Sequence, residues 1–210
     1  MRYRGRVFAV GVVGLFNILR YYYYHRYLGL PFEASFFVLT AIFLSIAWWS
    51  GKQYDLAKYY AEKDPLTNTY NRRTVEESFE RLSLISDKEN SKLGIVMIDL
   101  DNFKGINDRY GHLKGDELLQ QISLTLNKVS KKDDFIARWG GDEFLILVPS
   151  IDENFEVNYY QLLHKELESN DLFLNTKFTA SIGVAIYPDH GVIFENLIQQ
   201  ADGRMYKMKG

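Results

Sequence analysis

Cysteine is missing from all 210 residues. Its absence excludes a disulfide framework, a zinc–thiolate centre and cysteine nucleophile chemistry. Internal repeats and low-complexity tracts are missing too. Net charge is small, only −2, which argues against broad electrostatic binding to nucleic acid. What is there fits a globular chain: 47% hydrophobic and 25% charged residues. At about 150 residues per domain, the length accommodates one domain and something smaller.

The average hides two unlike parts. Residues 1–50 carry five arginines (Arg2, Arg4, Arg6, Arg20, Arg26) against one acid, Glu33, and 14 of the 32 aromatics. The remainder carries a balance of −6. A basic, aromatic start on an acidic remainder reads as a membrane anchor on a soluble domain. Residues 34–49 (ASFFVLTAIFLSIAWW) hold no charge, and counting from 28 gives a segment close to the about 20 residues that cross a bilayer. Residues 7–19 are shorter. They span if Tyr21, Tyr22, Tyr23 and Tyr24 form an interfacial belt and Arg20 reaches outward. A signal peptide is the competing reading, but Arg20 and four tyrosines follow where a small-residue cleavage site belongs. With a single span, the positive-inside rule exports the large domain. With a hairpin, Arg2, Arg4, Arg6, Lys52, Lys58 and Lys63 share one side against Arg20 and Arg26. That asymmetry predicts two membrane helices, about 7–24 and 28–49, with both ends cytoplasmic.

Residues 51–63 read as a short linker helix with Tyr54, Ala57 and Ala61 at helical spacing. Asp64-Pro65 marks the boundary to a domain spanning 64–210. Within it, 72–86, 115–129, 153–168 and 192–208 show helical patterns. Residues 93–100, 135–139, 143–148 and 177–186 read as strands, with Gly140-Gly141-Asp142 as a hairpin turn. After its leading helix the order is β-α-β-β-α-β-α. This predicts an α+β, ferredoxin-like antiparallel sheet with packed helices. In that topology the third strand lies between the first two. The end of the first, with Asp99 and Asp101, falls beside the start of the third, with Asp142 and Glu143.

Clustered carboxylates repel unless protons or cations intervene. Oxygen donors without cysteine point to Mg²⁺ or Mn²⁺, which take their remaining ligands from water and phosphate. Two such ions can hold attacking and leaving oxygens in a phosphoryl transfer. Lys104 is placed to neutralise charge on phosphate. A solvated turn with an acidic rim is the bland alternative. The strand-terminal acids across the sheet outweigh it. His25, His164 and His190 match no motif.

The segment Arg138-Trp139-Gly140-Gly141-Asp142-Glu143-Phe144 resembles the signature of the GGDEF-domain diguanylate cyclases. Four more blocks resemble the family in order and spacing. They are Asp64-Pro65-Leu66-Thr67 with Asn71-Arg72-Arg73; Asp99-Leu100-Asp101-Asn102-Phe103-Lys104 with Ile106-Asn107-Asp108; Gly111-His112 with Gly115-Asp116-Glu117; and Ala180-Ser181-Ile182-Gly183-Val184 with the closing segment through Lys209. The resemblance, also to nucleotide cyclases and polymerase palms in fold, implies that two GTP condense to cyclic di-GMP with release of two pyrophosphates across a homodimer. It implies two Mg²⁺ or Mn²⁺ per active site on Asp99, the Leu100 carbonyl, Asp142 and Glu143. Glu143 would take the 3′-hydroxyl proton or bind the second metal, and Lys104 would stabilise the transition state. Asn107, Asp116 and His112 would read guanine, Gly140 and Gly141 would admit phosphates, and Lys209 would meet the terminal phosphates. A catalytically silent nucleotide receptor or a membrane scaffold is the alternative.

The sequence departs from the family at several points. Many members carry an inhibitory product site, Arg-x-x-Asp, before the signature; here Lys131 and Asp134 occupy those positions. Lysine lacks the guanidinium fork, which predicts weak product inhibition. Asn68 stands where the family has glycine and is expected to take the same left-handed turn. The sequence stops just after Lys209, without the basic tail of many members, which implies either weaker phosphate affinity or a truncated sequence.

Overall fold

A computed structural model describes residues 3–31, 33–168 and 178–208, in two compact units, Met1–Ala61 and Glu62–Gly210.

The first unit is a helical hairpin. Helix α1 (Arg4–Tyr21) runs into a π-helical segment, Tyr22–Tyr27, and α2 (Ala34–Glu62) follows. Both arms are long and apolar enough to cross a membrane. Their apolar side chains point outward; Val7 is 68% and Phe8 74% exposed. The separate linker helix expected from 51 onward is instead continuous with the second apolar segment. A helix-interior glycine costs only about 1 kcal/mol, too little to stop α2 between good helix formers. Gly51 also has a packing reason: a Cβ there would lie 2.6 Å from the Arg6 Cα.

Two polar clasps join the arms. The Asp55 carboxylate accepts from Gly5 N–H at 2.8 Å and Arg6 N–H at 3.4 Å, capping α1 from α2, and pairs with Arg6 Nε at 3.4 Å. At the other end Arg20 turns inward rather than outward. Its Nη2 donates to the Phe36 carbonyl at 3.0 Å and to Thr40 Oγ1 at 2.8 Å, and the guanidinium lies 4.1 Å from the Phe36 ring centroid. Thr40 Oγ1 is 2.9 Å from Asn17 Oδ1. Acceptors on α2 take up the Arg20 Nη2 group, which the sequence sends outward, while its buried Nε has no hydrogen-bond partner.

The second unit is a five-stranded sheet in the order β1-β3-β4-β2-β5. The strands are β1 (Tyr70–Asn71), β2 (Lys92–Leu100), β3 (Phe135–Arg138), β4 (Glu143–Ile151) and β5 (Ala180–Tyr187). The four expected strands hold the expected order, and β1 adds a short parallel edge beside β3. Side chains alternate along β2. Leu93, Ile95 and Met97 face a core completed by α3 (Arg72–Glu89) and α7 (Phe194–Met208). Val96, Ile98 and Leu100 face the opposite core, built with α5 (His112–Val129) and α6 (Phe155–Glu168). A further helix, α4 (Phe103–Tyr110), follows β2 directly. The expected strand start at 177 falls outside the described residues. Asn68 does take a positive φ, 58°.

Candidate active site

The site begins with strand register. On β2, Asp99 is the Cα partner of Glu143 on β4 and of Ser181 on β5. Leu100 N–H donates to the Asp142 carbonyl at 3.2 Å. Within a strand the N–H and C=O of one residue point to the same side, so the Leu100 carbonyl also faces the turn that carries Asp142. The topology therefore brings Asp99, Leu100, Asp142 and Glu143 to one sheet edge, and places Asp99 and Glu143 on the same face by parity. Among the described residues, no three His, Asp or Glu side chains form a ready-made metal cluster. The donors present, carboxylates and a main-chain carbonyl, have the hardness Mg²⁺ needs. Such an ion retains several waters or phosphate oxygens beside one or two carboxylates.

The turn between β3 and β4 is held from below. Trp139 N–H donates to the Glu143 carbonyl at 2.8 Å and Gly140 N–H to the same oxygen at 3.3 Å. Arg138 Nη2 and Nε reach the Gly141 carbonyl at 2.7 and 3.1 Å, while Nη1 lies 3.4 Å from Asp64 Oδ1. Asp64 also accepts from Thr67 N–H at 2.9 Å and Thr67 Oγ1 at 2.8 Å. Burial pushes the Asp64 carboxyl up, but the Thr67 and Arg138 donors outweigh it and hold the group below its ordinary range. One network thus ties the opening Asp-Pro-Leu-Thr turn to the Gly-Gly-Asp turn across 74 residues. Both motifs are visible in the sequence, but their link is not, because Asp64 and Arg138 lie 74 residues apart and only the fold brings them together.

Gly140 and Gly141 differ in their need for glycine. Neither has a positive φ, so the hairpin is not the left-handed type that glycine pairs usually mark. At Gly140 an added Cβ would run into the Glu143 carboxylate; at Gly141 nothing lies within 4 Å. Gly140 accommodates the acid, and Gly141 leaves open room beside the turn.

The other predicted residues sit on α4 and α5. Lys104 is exposed in the first turn of α4. Gly111, at φ +85°, reverses the chain into α5. Asn107 Oδ1 is buried against the Gly115 Cα and has no hydrogen-bond partner. Asp116, the next residue on α5, and His112 are both exposed. A buried acceptor without a donor is costly, and a ligand N–H would relieve it. Lys209 lies outside the described residues. At the Lys131–Asp134 turn, Asp134 Oδ2 accepts from Lys131 N–H at 2.8 Å, so the turn forms without arginine.

Comparison with known proteins agrees with this geometry. The family model for the GGDEF domain of diguanylate cyclases matches residues 61–210. A protein named cyclic di-GMP phosphodiesterase PdeR, from Escherichia coli K12, is 35% identical over 151 residues, covering 71% of this chain and 22% of its own. Diguanylate cyclase DosC of the same organism is 31% identical over 159 residues, covering 74% of this chain and 34% of its own. The chain thus spans only about a fifth to a third of the length of these two curated relatives. The GGDEF domain of DgcB from Caulobacter crescentus, solved in complex with cyclic di-GMP, superposes with a TM-score of 0.65 at 26% identity, over 71% of this chain and 88% of that one. With its signature at the sheet edge and the family model covering well over half its length, the chain belongs to the GGDEF-domain family of diguanylate cyclases.

Proposed function

We propose that the chain is a membrane-anchored diguanylate cyclase that joins two GTP into cyclic di-GMP. The observation that carries this reading is the pairing of Asp99 with Glu143 beside a Leu100–Asp142 main-chain bond. Asp99, the Leu100 carbonyl, Asp142 and Glu143 would hold Mg²⁺ or Mn²⁺, two per active site. When bound, the ions supply charge neutralisation at the triphosphate. The 3′-hydroxyl oxygen of one GTP bonds to the α-phosphorus of the other, the bond to pyrophosphate breaks, and the hydroxyl proton passes to Glu143. Lys104 offers a cation to the developing phosphate charge. Asn107 and Asp116 accept from the guanine edge, with His112 beside them; adenine lacks that donor pair. Gly140 and Gly141 admit the phosphates, and Lys209 meets their terminal charge. A second, identical step closes the ring, so a homodimer with one GTP per protomer is required.

In this reading residues 1–50 form the anchor in the cell membrane, 51–63 the linker and 64–210 the cytoplasmic catalytic domain. Lys131 weakens product inhibition because a lysine head cannot match the bidentate arginine contact. Cyclic di-GMP inhibiting at low micromolar levels, with loss of that inhibition in Lys131→Ala, would contradict this.

The test is incubation of the full chain, in detergent or nanodiscs, with GTP and Mg²⁺, followed by mass spectrometry of the product. Cyclic di-GMP is expected from the wild type, and a loss of about 100-fold or more from Asp99→Asn. No product even under enforced dimerisation overturns the cyclase reading in favour of a silent nucleotide receptor or a membrane scaffold. A reporter at residue 27 is expected outside the cytoplasm.

A further inference from the structure

Asp101 is two residues beyond Asp99 and shares its face of the sheet, so the sequence groups it with the metal-binding acids. Its surroundings are different. Thr179 Oγ1 donates to one carboxylate oxygen at 2.6 Å and Ser181 Oγ to the other at 2.7 Å. Its N–H donates to the Thr179 carbonyl at 2.9 Å. Three bonds therefore fasten residue 101 to the start of β5. Two are charge-assisted and short, the stronger kind of hydrogen bond. Ser181 is also the Cα partner of Asp99, so the residue that bonds the Asp101 carboxylate stands opposite Asp99 in the sheet.

The next residue explains why fastening is needed. Asn102 adopts a left-handed φ of 56°, which L side chains rarely take, and turns the chain from β2 into α4. Its side chain lies against the Gly105 Cα, where any Cβ would collide. Such a turn persists only where its surroundings hold it. Immediately beyond come Lys104 and Asn107. We propose that Asp101 is a positioning residue and not a metal ligand: through Thr179 and Ser181 it clamps the β2–α4 turn to β5, and so sets Lys104 and Asn107 against the Asp99–Glu143 edge. An aspartate suits this place because two hydroxyl donors require two acceptor oxygens, whereas asparagine offers one.

This assignment rests on the cyclase reading of the site, and its test separates the two. Asp101→Asn and the double variant Thr179→Val/Ser181→Ala are compared as full chains. The readouts are amide exchange over 102–107, Mn²⁺ affinity with a non-reactive GTP analogue, and turnover. Both variants are expected to speed exchange by about tenfold or more, lower turnover, and hold Mn²⁺ affinity within about threefold. Adding Asp101→Asn to the double variant changes nothing further, because the hydroxyl donors that the carboxylate receives are already gone. A loss of Mn²⁺ affinity beyond about tenfold in Asp101→Asn alone makes Asp101 a ligand and overturns the proposal. Unchanged exchange in either variant overturns the clamp. A wild type that makes no cyclic dinucleotide refutes only the cyclase reading, and the exchange measurement still decides Asp101.

Discussion

The hairpin unit and the sheet unit follow the same packing rules with opposite polarity. In the sheet unit apolar side chains turn inward; Phe144, Ile98 and Leu147 have no exposed surface. In the hairpin the apolar side chains turn outward, and the inward positions hold Asn17, Arg6 and Asp55, with Arg20 bonded across to Thr40. A core against water is assembled by burying hydrocarbon. Helices in hydrocarbon gain nothing from that and associate through close glycine contacts and hydrogen bonds. In the proposed anchor, the Gly51–Arg6 approach and the Asn17–Thr40–Arg20 cluster would be contacts of that second kind.

The comparison can be broken most decisively at one phenylalanine in each unit. Phe144→Ala is expected to cost about 3–5 kcal/mol in denaturant unfolding of the sheet unit, because the side chain is fully enclosed. Phe8→Ala, from a 74% exposed position, is expected to leave that transition within about 0.5 kcal/mol. Equal losses would mean that the two units share one core.

A smaller effect is expected at the turn network. Arg138→Ala removes the donor from the Gly141 carbonyl and leaves Asp64 with Thr67 alone. The expected loss is about 1–3 kcal/mol, with faster amide exchange at 139–143. Arg138→Lys recovers only part of it, since a single ammonium cannot reach Gly141 and Asp64 together.

The hairpin clasp comes next. Asn17→Leu is expected to weaken association of α1 with α2 by about 0.5–1.5 kcal/mol, read from steric-trap or detergent unfolding. A stabilised hairpin would show that the cluster serves something other than holding the helices together.

The gentlest probe is pH. Burial, followed by the nearby Arg204 guanidinium, lowers the His190 pKa, while Glu156 and Asp189 oppose and Lys92 assists. His190 Nδ1 accepts from Ile186 N–H at 2.8 Å, and Nε2 lies 3.1 Å from Arg204 Nη2. The folded state therefore binds the proton less readily than the unfolded chain does. His190 contributes stability above the unfolded value near pH 6.5, and that contribution is lost as pH falls through the lower folded value. Wild-type melting temperature is expected to drop more steeply than that of His190→Gln between about pH 7 and about pH 5. Parallel curves would remove His190 from the account.

Much of the catalytic unit was legible in the residues. The apolar runs at 93–100 and 143–148 are long enough to identify central strands, and the β-α-β-β-α-β order then fixes their neighbours. From this, the meeting of Asp99 with Glu143 follows before any coordinates. Helix α4 escaped because only Ile106 among its eight residues is buried, which is too little periodicity to read. Strand β1 escaped because two residues make no pattern. Asp101 escaped because alternation gives a residue's face but not its partners. Arg20 escaped because an isolated helix has no Thr40 to offer.

Local order along the chain thus determined the four long strands and most of the helices, which segments are apolar enough for a bilayer, and which acids end the strands. Those features depend on neighbours within a few residues. Only the tertiary structure decided where Arg20 and Arg138 direct their charge, and which hydroxyls take up the Asp101 carboxylate. A hydrogen bond across 74 or 80 residues is a property of two backbones brought together, and neither segment encodes it alone.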